Sequence, residues 1–447
     1  MAWSYSLAEL ASAIGCEAAA GTAAFSSIST DTRTLRPGDV FFALTGANFD
    51  ANAFVGEAFA KGACAVVASR ACGSGPCLVV DDPLGALQRF ARWHRDQFSL
   101  PVLAITGSCG KTTAKDLIAG LLATRYSVVK TQGNLNNDIG VPLSLMQIDA
   151  DTGFAVIEMG ANHQGEIAAL CGMARPTEAA ITMIAPAHLE GFGSIENVAA
   201  AKAEIVRGLE PSGVFYVNTG DPRCVSIAGS FAGELVRLGV SGDVTLRRRE
   251  LLPSGDTLLE IEPVGSITLP LPCPAHAVNV LLAVAVGVRH GVEEFEAPLR
   301  QALAAAARFR TLRIGPWEVL DDSYNANPAS MAAALEALAL RPGPGRRVAA
   351  LGDMLELGAA SRALHRELGR NAAASGVHHV FVRGDYADEV VAGALEGQCP
   401  QARVVDAHAD IAAAIHALGP DGGVLLVKGS RGMRMERVVE ALKALYE

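Results

Sequence analysis

Hydrophobic and polar positions follow a regular rhythm from residue 100 onward. Short unbroken apolar runs alternate with longer stretches in which apolar side chains recur every three or four residues. The runs are Pro101–Thr106, Phe154–Glu158, Ala179–Ile184 and Val214–Asn218. The stretches between them are Thr112–Leu122, Glu166–Met173 and Ile195–Leu209. A short apolar run bounded by turn residues reads as a buried strand, and the 3.6-residue period reads as a helix. Their alternation predicts βαβ units, a mainly parallel sheet, and ligands beyond the carboxyl ends of its strands. Between Gly239 and Leu271 the pattern shortens, with turns at Pro253–Asp256 and Pro263–Gly265, which predicts an antiparallel extension. Helices are expected at 276–290 and 293–307.

The same rhythm restarts near Arg308. Strands are expected at Trp317–Asp321, Arg347–Leu351, His379–Val382, Ala402–Val405 and Val424–Lys428, with helices at about 329–340, 361–375, 410–418 and 433–445. Arg341–Arg346 reads as a loop. Before residue 98 the elements are shorter: Asp39–Leu44, Ala63–Ala68 and an amphipathic helix near Leu84–Gln97. The expected fold class is α/β in three domains: a small N-terminal α/β domain over 1–98, a central P-loop domain with a mainly parallel sheet over 99–308, and a C-terminal Rossmann-like doubly wound sheet over 309–447.

Composition narrows the possibilities. Half of the 447 residues are apolar and 19% are charged, which suits compact folded domains. No segment approaches the ~18 uninterrupted apolar residues of a membrane span, and Met1–Leu7 carries no basic region followed by an apolar stretch, so a cytoplasmic protein is expected. The net charge of −10 argues against nucleic acid as a partner. Arg247–Arg249, the one basic triplet, reads as a solvated face. Nine scattered cysteines read as reduced thiols, and the Gly-Ser-Gly-Pro spacing of Cys72 and Cys77 is not a zinc pattern.

The strongest chemical signal is Ile105-Thr-Gly-Ser-Cys-Gly-Lys-Thr-Thr113, between an expected strand and an expected helix. Gly107 and Gly110 allow backbone N–H groups to turn toward an anion, with Ser108, Cys109 and Thr113 completing the loop. Lys111 offers a point charge to phosphates and Thr112 a hydroxyl to Mg²⁺. Glu158 ends a strand of the same sheet, where a further Mg²⁺ ligand belongs, although an ordinary strand-end acid reads the same way. His188 follows another strand, and on position alone a ligand and a structural histidine are equally good readings. Asn134, Asn136, Asn137 and Asp138 crowd one loop between glycines. In the last third, Asp321–Pro328, Asp353 and Lys428-Gly-Ser-Arg431 stand at strand ends, the last group suited to carboxylate or phosphate capture.

Taken together, these segments resemble the Mur ligases, ATP-dependent amide-forming enzymes of peptidoglycan synthesis. The resemblance rests on Ser29–Arg33 with Gly38–Leu44, Thr106–Thr113, Gly133–Pro142, Glu158–Ile167, His188–Gly193 with Ala201–Ile205, Asp321–Pro328, Leu351–Gly358 and Lys428–Arg431. It implies ATP and Mg²⁺ as cofactors, UDP-N-acetylmuramoyl-tripeptide and D-alanyl-D-alanine as substrates, and an acyl-phosphate intermediate; a monomer is expected. It implies that Thr112, Glu158, His188 and a carbamylated Lys202 hold metal, with Lys111, Lys202 and His188 catalytic. Ser29, Asp31 and Arg33 would lie near the uridine diphosphate, and Asn134, Asn136, Asn137 and Asp138 would meet substrate. Arg310, Asp322, Asn325 and Asn327 would meet the nucleotide or the hinge, and Asp353, Lys428, Ser430 and Arg431 would face the peptide.

The family's Gly-x-His-Asn-x-x-Asn is here Pro274-Ala-His-Ala-Val-Asn279, which leaves Asn279 as the candidate for adenine. The family's Gly-Arg at the domain junction is here Phe309-Arg310. The alternatives are another Mur ligase, a folylpolyglutamate synthase, or a nucleotide-binding switch that makes no amide bond; a switch would need neither the N-terminal block nor the second α/β unit.

Overall fold

In the computed structural model the chain is built around three sheets. The structure describes all residues except 1–2, 17–22, 47–48, 74, 272, 306–308 and 342–344. The expected boundary at 308, the end of the helix expected at 293–307 and the centre of the 341–346 loop therefore lie outside the described residues.

The nine-stranded central sheet has Val102–Thr106 in its parallel interior, flanked by Phe154–Glu158 on one side and Glu178–Ile181 on the other. All three strands are fully buried, as expected for a parallel sheet covered on both faces. One face is covered by helices Lys111–Leu122 and His276–Arg289, the other by Glu166–Ala174 and Ile195–Arg207. Because neighbouring strands leave Val102–Thr106 in both directions, a crevice opens at its carboxyl end. The expected antiparallel extension is present as Val244–Leu251, Thr257–Glu262 and Gly265–Leu269. Arg247 and Arg248 pair with Glu262, Glu260 and Glu250 there, and Arg249 faces Glu336 at 3.7 Å. The sheet's last strand is covered by helix Glu296–Ala305: Thr268 N donates to a Glu296 carboxylate oxygen at 2.9 Å, and Arg300 donates to Thr268 O at 2.6 Å.

The second doubly wound sheet has six strands, five of them parallel. Its antiparallel edge strand, Arg310–Ile314, and the helix Ala387–Glu396 were not expected from the sequence. The N-terminal residues form a four-stranded parallel sheet, Ile28–Ser29, Val40–Phe42, Ala65–Ala68 and Cys77–Val79.

One expectation is corrected in this region. Cys72 and Cys77 are joined as a disulfide, not left as two thiols, because the turn between them brings their Cα atoms to 5.8 Å, within bridging distance. The other seven cysteines are free.

Helix Pro83–Arg95 fastens the N-terminal sheet to the central one. Asp82 caps it, Pro83 opens it, and Leu87, Phe90 and Ala91 are buried along one face. At its end His94 bridges the two units: Tyr5 OH lies 2.9 Å from Nδ1, and Nε2 lies 2.9 Å from Ile148 O. A neutral ring with its proton on Nε2 satisfies both contacts. Burial lowers the His94 pKa from 6.5 to about 4. The unfolded chain therefore takes up a proton between pH 6.5 and 4 that the native state refuses, so stability is full above this window and declines as pH falls through it. We predict that His94→Gln flattens the acid limb of the stability–pH curve between pH 6.5 and 4. The difference from wild type should approach about 3 kcal/mol. Urea titrations at stepped pH measure it, and parallel curves for the two proteins would contradict it.

Candidate active site

The phosphate loop owes its shape to two glycines. Gly107 has φ +144°, and a Cβ there would stand 2.0 Å from Thr182 Oγ1. Gly110 caps the following helix at φ +86°, and a Cβ there would stand 2.7 Å from Asn279 Oδ1. A Cβ at Gly107 would also stand 3.1 Å from the Thr182 backbone N, so its conformation and its surroundings both favour glycine, whereas at Gly110 the positive φ is the main demand. The loop is tied to the adjacent strand end: Ser108 N donates to Met183 O at 2.9 Å, Ser108 Oγ to Ala185 O at 2.8 Å, and Thr182 Oγ1 to Cys109 O at 2.5 Å. Lys111 Nζ folds back onto Gly107 O at 2.7 Å. Helix Lys111–Leu122 begins at the carboxyl end of strand Val102–Thr106, and the amino end of a helix so placed is the usual setting for a phosphate.

A cavity of about 940 Å³ opens over this loop. It gathers Ser108, Cys109, Gly110, Lys111, Thr112, Thr113, Asn134, Asn136, Asn137, Asp138, Glu158, His188, Asn279, Asp322, Asn325, Asn327, Lys428 and Arg431 from both large sheets and the Asn-rich loop. Gly107 belongs to the same loop but is not among the lining residues. The remaining candidates are not in its lining. Lys202 is buried behind it, with Nζ 5.6 Å from the Phe192 ring centroid. Burial, with Lys111 nearby, lowers the Lys202 pKa to about 7. Arg310 pairs with Asp321 at 2.7 Å. Asp353 is buried and accepts from Asp385 N at 2.7 Å and Tyr386 N at 3.3 Å; Ser430 Oγ accepts from Leu355 N at 2.9 Å. Ser29 ends strand Ile28–Ser29 of the N-terminal sheet, and Asp31 and Arg33 lie in the turn that follows it. There Arg33 holds Asp31 at 2.6 Å and keeps its carboxyl down at about 2.

Several candidates also do structural work. Asn327 Oδ1 caps helix Pro328–Leu340 through Ser330 N at 2.9 Å, while its Nδ2 reaches Ser108 O at 3.1 Å and so joins the two sheets. Asn137 Oδ1 accepts from Gly140 N at 2.9 Å. Lys428 is buried, paired with Asp322 and donating to Asn325 O at 2.8 Å, which braces the Asp321–Pro328 loop. Arg431 lies over the Tyr324 ring at 5.4 Å.

Glu158 is 1% exposed. Its Oε1 accepts from Asn136 Nδ2 at 2.7 Å, whereas the buried Oε2 has no hydrogen-bond partner. Lys115 Nζ faces that oxygen at 3.9 Å and donates to Thr131 O at 2.8 Å. Lys115 was missed in the sequence. Its only signal is a lysine one turn after Lys111, amid apolar positions of the same helix face. A buried carboxylate oxygen without a donor, sharing a cavity with the Thr112 hydroxyl, is what a hard cation such as Mg²⁺ takes as a ligand. Among the described residues there is no cluster of three or more His, Cys, Asp or Glu side chains for a metal.

A phosphate loop at the switch point of one sheet, facing a cationic and amide-rich rim from a second doubly wound sheet, defines a two-unit P-loop enzyme. Residues 105–287 match the Mur ligase middle domain and residues 307–431 the Mur ligase, glutamate ligase domain. The chain belongs to the Mur ligase family. It is 36% identical over 452 residues to the UDP-N-acetylmuramoyl-tripeptide–D-alanyl-D-alanine ligase of Escherichia coli (strain K12), covering 98% of each chain. It is 33% identical to the ligase of that name from Bacillus subtilis (strain 168), covering 93% of this chain and 92% of that one. Among solved structures, MurF from Acinetobacter baumannii superposes with a TM-score of 0.92 at 33% identity over 99% of both chains. MurF ligase from Thermotoga maritima, in complex with ADP, superposes at 0.84 with 29% identity, covering 94% of this chain and 97% of that one.

We predict that Gly107→Ala weakens ADP binding. Strain from the added methyl group is worth about 1–3 kcal/mol, which is roughly tenfold or more in affinity. Calorimetric titration of ADP, with circular dichroism to show retained folding, checks this. Unchanged affinity would mean that the loop does not hold the phosphates.

Proposed function

We propose that this chain is an ATP-dependent amide ligase that joins D-alanyl-D-alanine to the terminal carboxylate of UDP-N-acetylmuramoyl-tripeptide in peptidoglycan precursor synthesis. The carrying observation is one cavity lined by Lys111 of the phosphate loop and by Lys428 and Arg431 of the second sheet. The names of the full-length relatives support the choice of substrates. The chemistry requires a phosphoryl group and a carboxylate to meet out of water, and then an amine to attack the acyl phosphate. Lys111 neutralises charge on the phosphoryl group in flight. Thr112 and Glu158 would hold Mg²⁺, with His188 and a carbamylated Lys202 as further ligands; bound there, the ion supplies charge stabilisation on the phosphate oxygens. A lysine whose ammonium is destabilised by burial is suited to react with CO₂, releasing a proton and leaving a carboxylate-like carbamate. Asn136 orients Glu158. Lys428 braces the loop that carries Asn325 and Asn327, and Arg431 offers a guanidinium to a substrate carboxylate.

Phosphate release should depend on both the UDP-tripeptide and D-alanyl-D-alanine. ATP hydrolysis indifferent to the dipeptide would favour a regulatory ATPase. Lys111→Ala should lower turnover by about 10²–10³ or more with the fold intact; near-normal turnover would sink the phosphate-loop assignment. For Lys202, the expected result is that Lys202→Ala loses most activity and that added formate or acetate restores part of it. A fully active Lys202→Ala protein would make this an ordinary buried lysine.

A further inference from the structure

Glu356 lies in the loop that leaves strand Arg346–Gly352 of the C-terminal sheet, yet its contacts are with the central unit. Its carboxylate Oε2 is hydrogen-bonded to Nδ1 of His188, and its backbone oxygen accepts from Glu190 N at 3.0 Å. Both partners have left-handed backbones, Glu356 at φ +63° and His188 at φ +53°, a conformation that non-glycine residues hold only where their surroundings impose it. The loop is also fastened from behind. Met354 N donates to His365 Nε2 at 2.9 Å, Leu355 N to Ser430 Oγ at 2.9 Å, and Ser430 N to Asp353 O at 3.0 Å. The position of Glu356 is thus set by the strand-end segment that also carries Lys428 and Arg431.

Histidines that bind a cation through one ring nitrogen ordinarily have the other held by a carboxylate or carbonyl, which fixes the tautomer and the ring plane. Here the carboxylate comes from the other sheet. We propose that Glu356 is a positioning residue for His188. It accepts the Nδ1 proton, leaves Nε2 as the nitrogen available to the cavity, and holds the ring only while the 353–358 loop is seated on residues 188–192. Seating of the C-terminal unit on the central one thereby readies His188. The inference rests on His188 meeting a cation, as proposed above. None of the motifs read from the sequence assigns a role to Glu356.

The test uses the full-length enzyme with a non-hydrolysable ATP analogue and Mn²⁺ as the probe. Free Mn²⁺ is counted by electron paramagnetic resonance for wild type, His188→Ala, Glu356→Ala, Glu356→Gln and the double alanine variant. Thermal melting without metal is recorded in parallel. Glu356→Ala should weaken Mn²⁺ binding by about 10–100-fold, with a melting temperature close to wild type. Glu356→Gln, which keeps an acceptor oxygen, should recover part of the loss. The double variant should bind no more weakly than His188→Ala alone, because the two side chains act as one unit. Wild-type Mn²⁺ affinity in Glu356→Ala, with weakened affinity in His188→Ala, would overturn the positioning role alone. Wild-type affinity in His188→Ala would overturn the cation reading of His188, and this inference with it. A lowered melting temperature with unchanged affinity in both Glu356 variants would reduce the contact to a structural one and overturn the proposal.

Discussion

The site depends on a steric constraint at the centre of the parallel sheet. The chain leaving strand Val102–Thr106 turns so tightly against the end of Glu178–Ile181 that Gly107 leaves no room for a Cβ. This contact fixes where the next helix begins, and hence where its positive dipole end and Lys111 are placed. Ser108, bonded to Ala185 O, and Cys109, whose carbonyl accepts from Thr182 Oγ1, tie the loop to the segment that follows the neighbouring strand. Glu158 then follows from register, because it lies beside Ile105 in the adjacent strand. Preorganised donors of this kind make an anion site effective, since little reorganisation is left for the moment of reaction.

The charges around the cavity are balanced in buried pairs. Lys115 faces Glu158, and Lys428 holds Asp322. Isolated buried charges of this size would be strongly disfavoured, and removing one partner strands the other. Lys428 and Lys115 are therefore better understood as braces that keep a loop and a carboxylate in place than as groups waiting for a substrate.

What could be read from sequence is what is local in sequence. The glycine, lysine and hydroxyl of the phosphate loop lie within nine residues, and the central strands are unbroken apolar runs, so both were legible. Arg310–Ile314 was not, because an exposed antiparallel edge strand needs no apolar run and its Arg-Thr-Leu-Arg-Ile sequence shows none. The alanine- and valine-rich helix Ala387–Glu396 was lost in a chain already full of such stretches. Lys115 carries no local mark that separates it from an ordinary helix lysine, and only packing against the sheet buries it. Glu356 meets His188 from 168 positions away, a pairing created only by how two sheets lie against each other. The Cys72–Cys77 bridge depends on turn geometry that spacing alone does not specify.

The way helix Glu296–Ala305 meets the last strand of the central sheet has a consequence for the behaviour of the molecule in a crowded solution. An open sheet edge offers a row of free amides and carbonyls to any extended peptide, including the same strand of another copy. At Thr268 both valences are already taken, the amide by the Glu296 carboxylate and the carbonyl by the Arg300 guanidinium. Two charged side chains from one helix imitate the missing neighbour strand at that point. At this edge position an approaching strand would find the Thr268 amide and carbonyl already engaged.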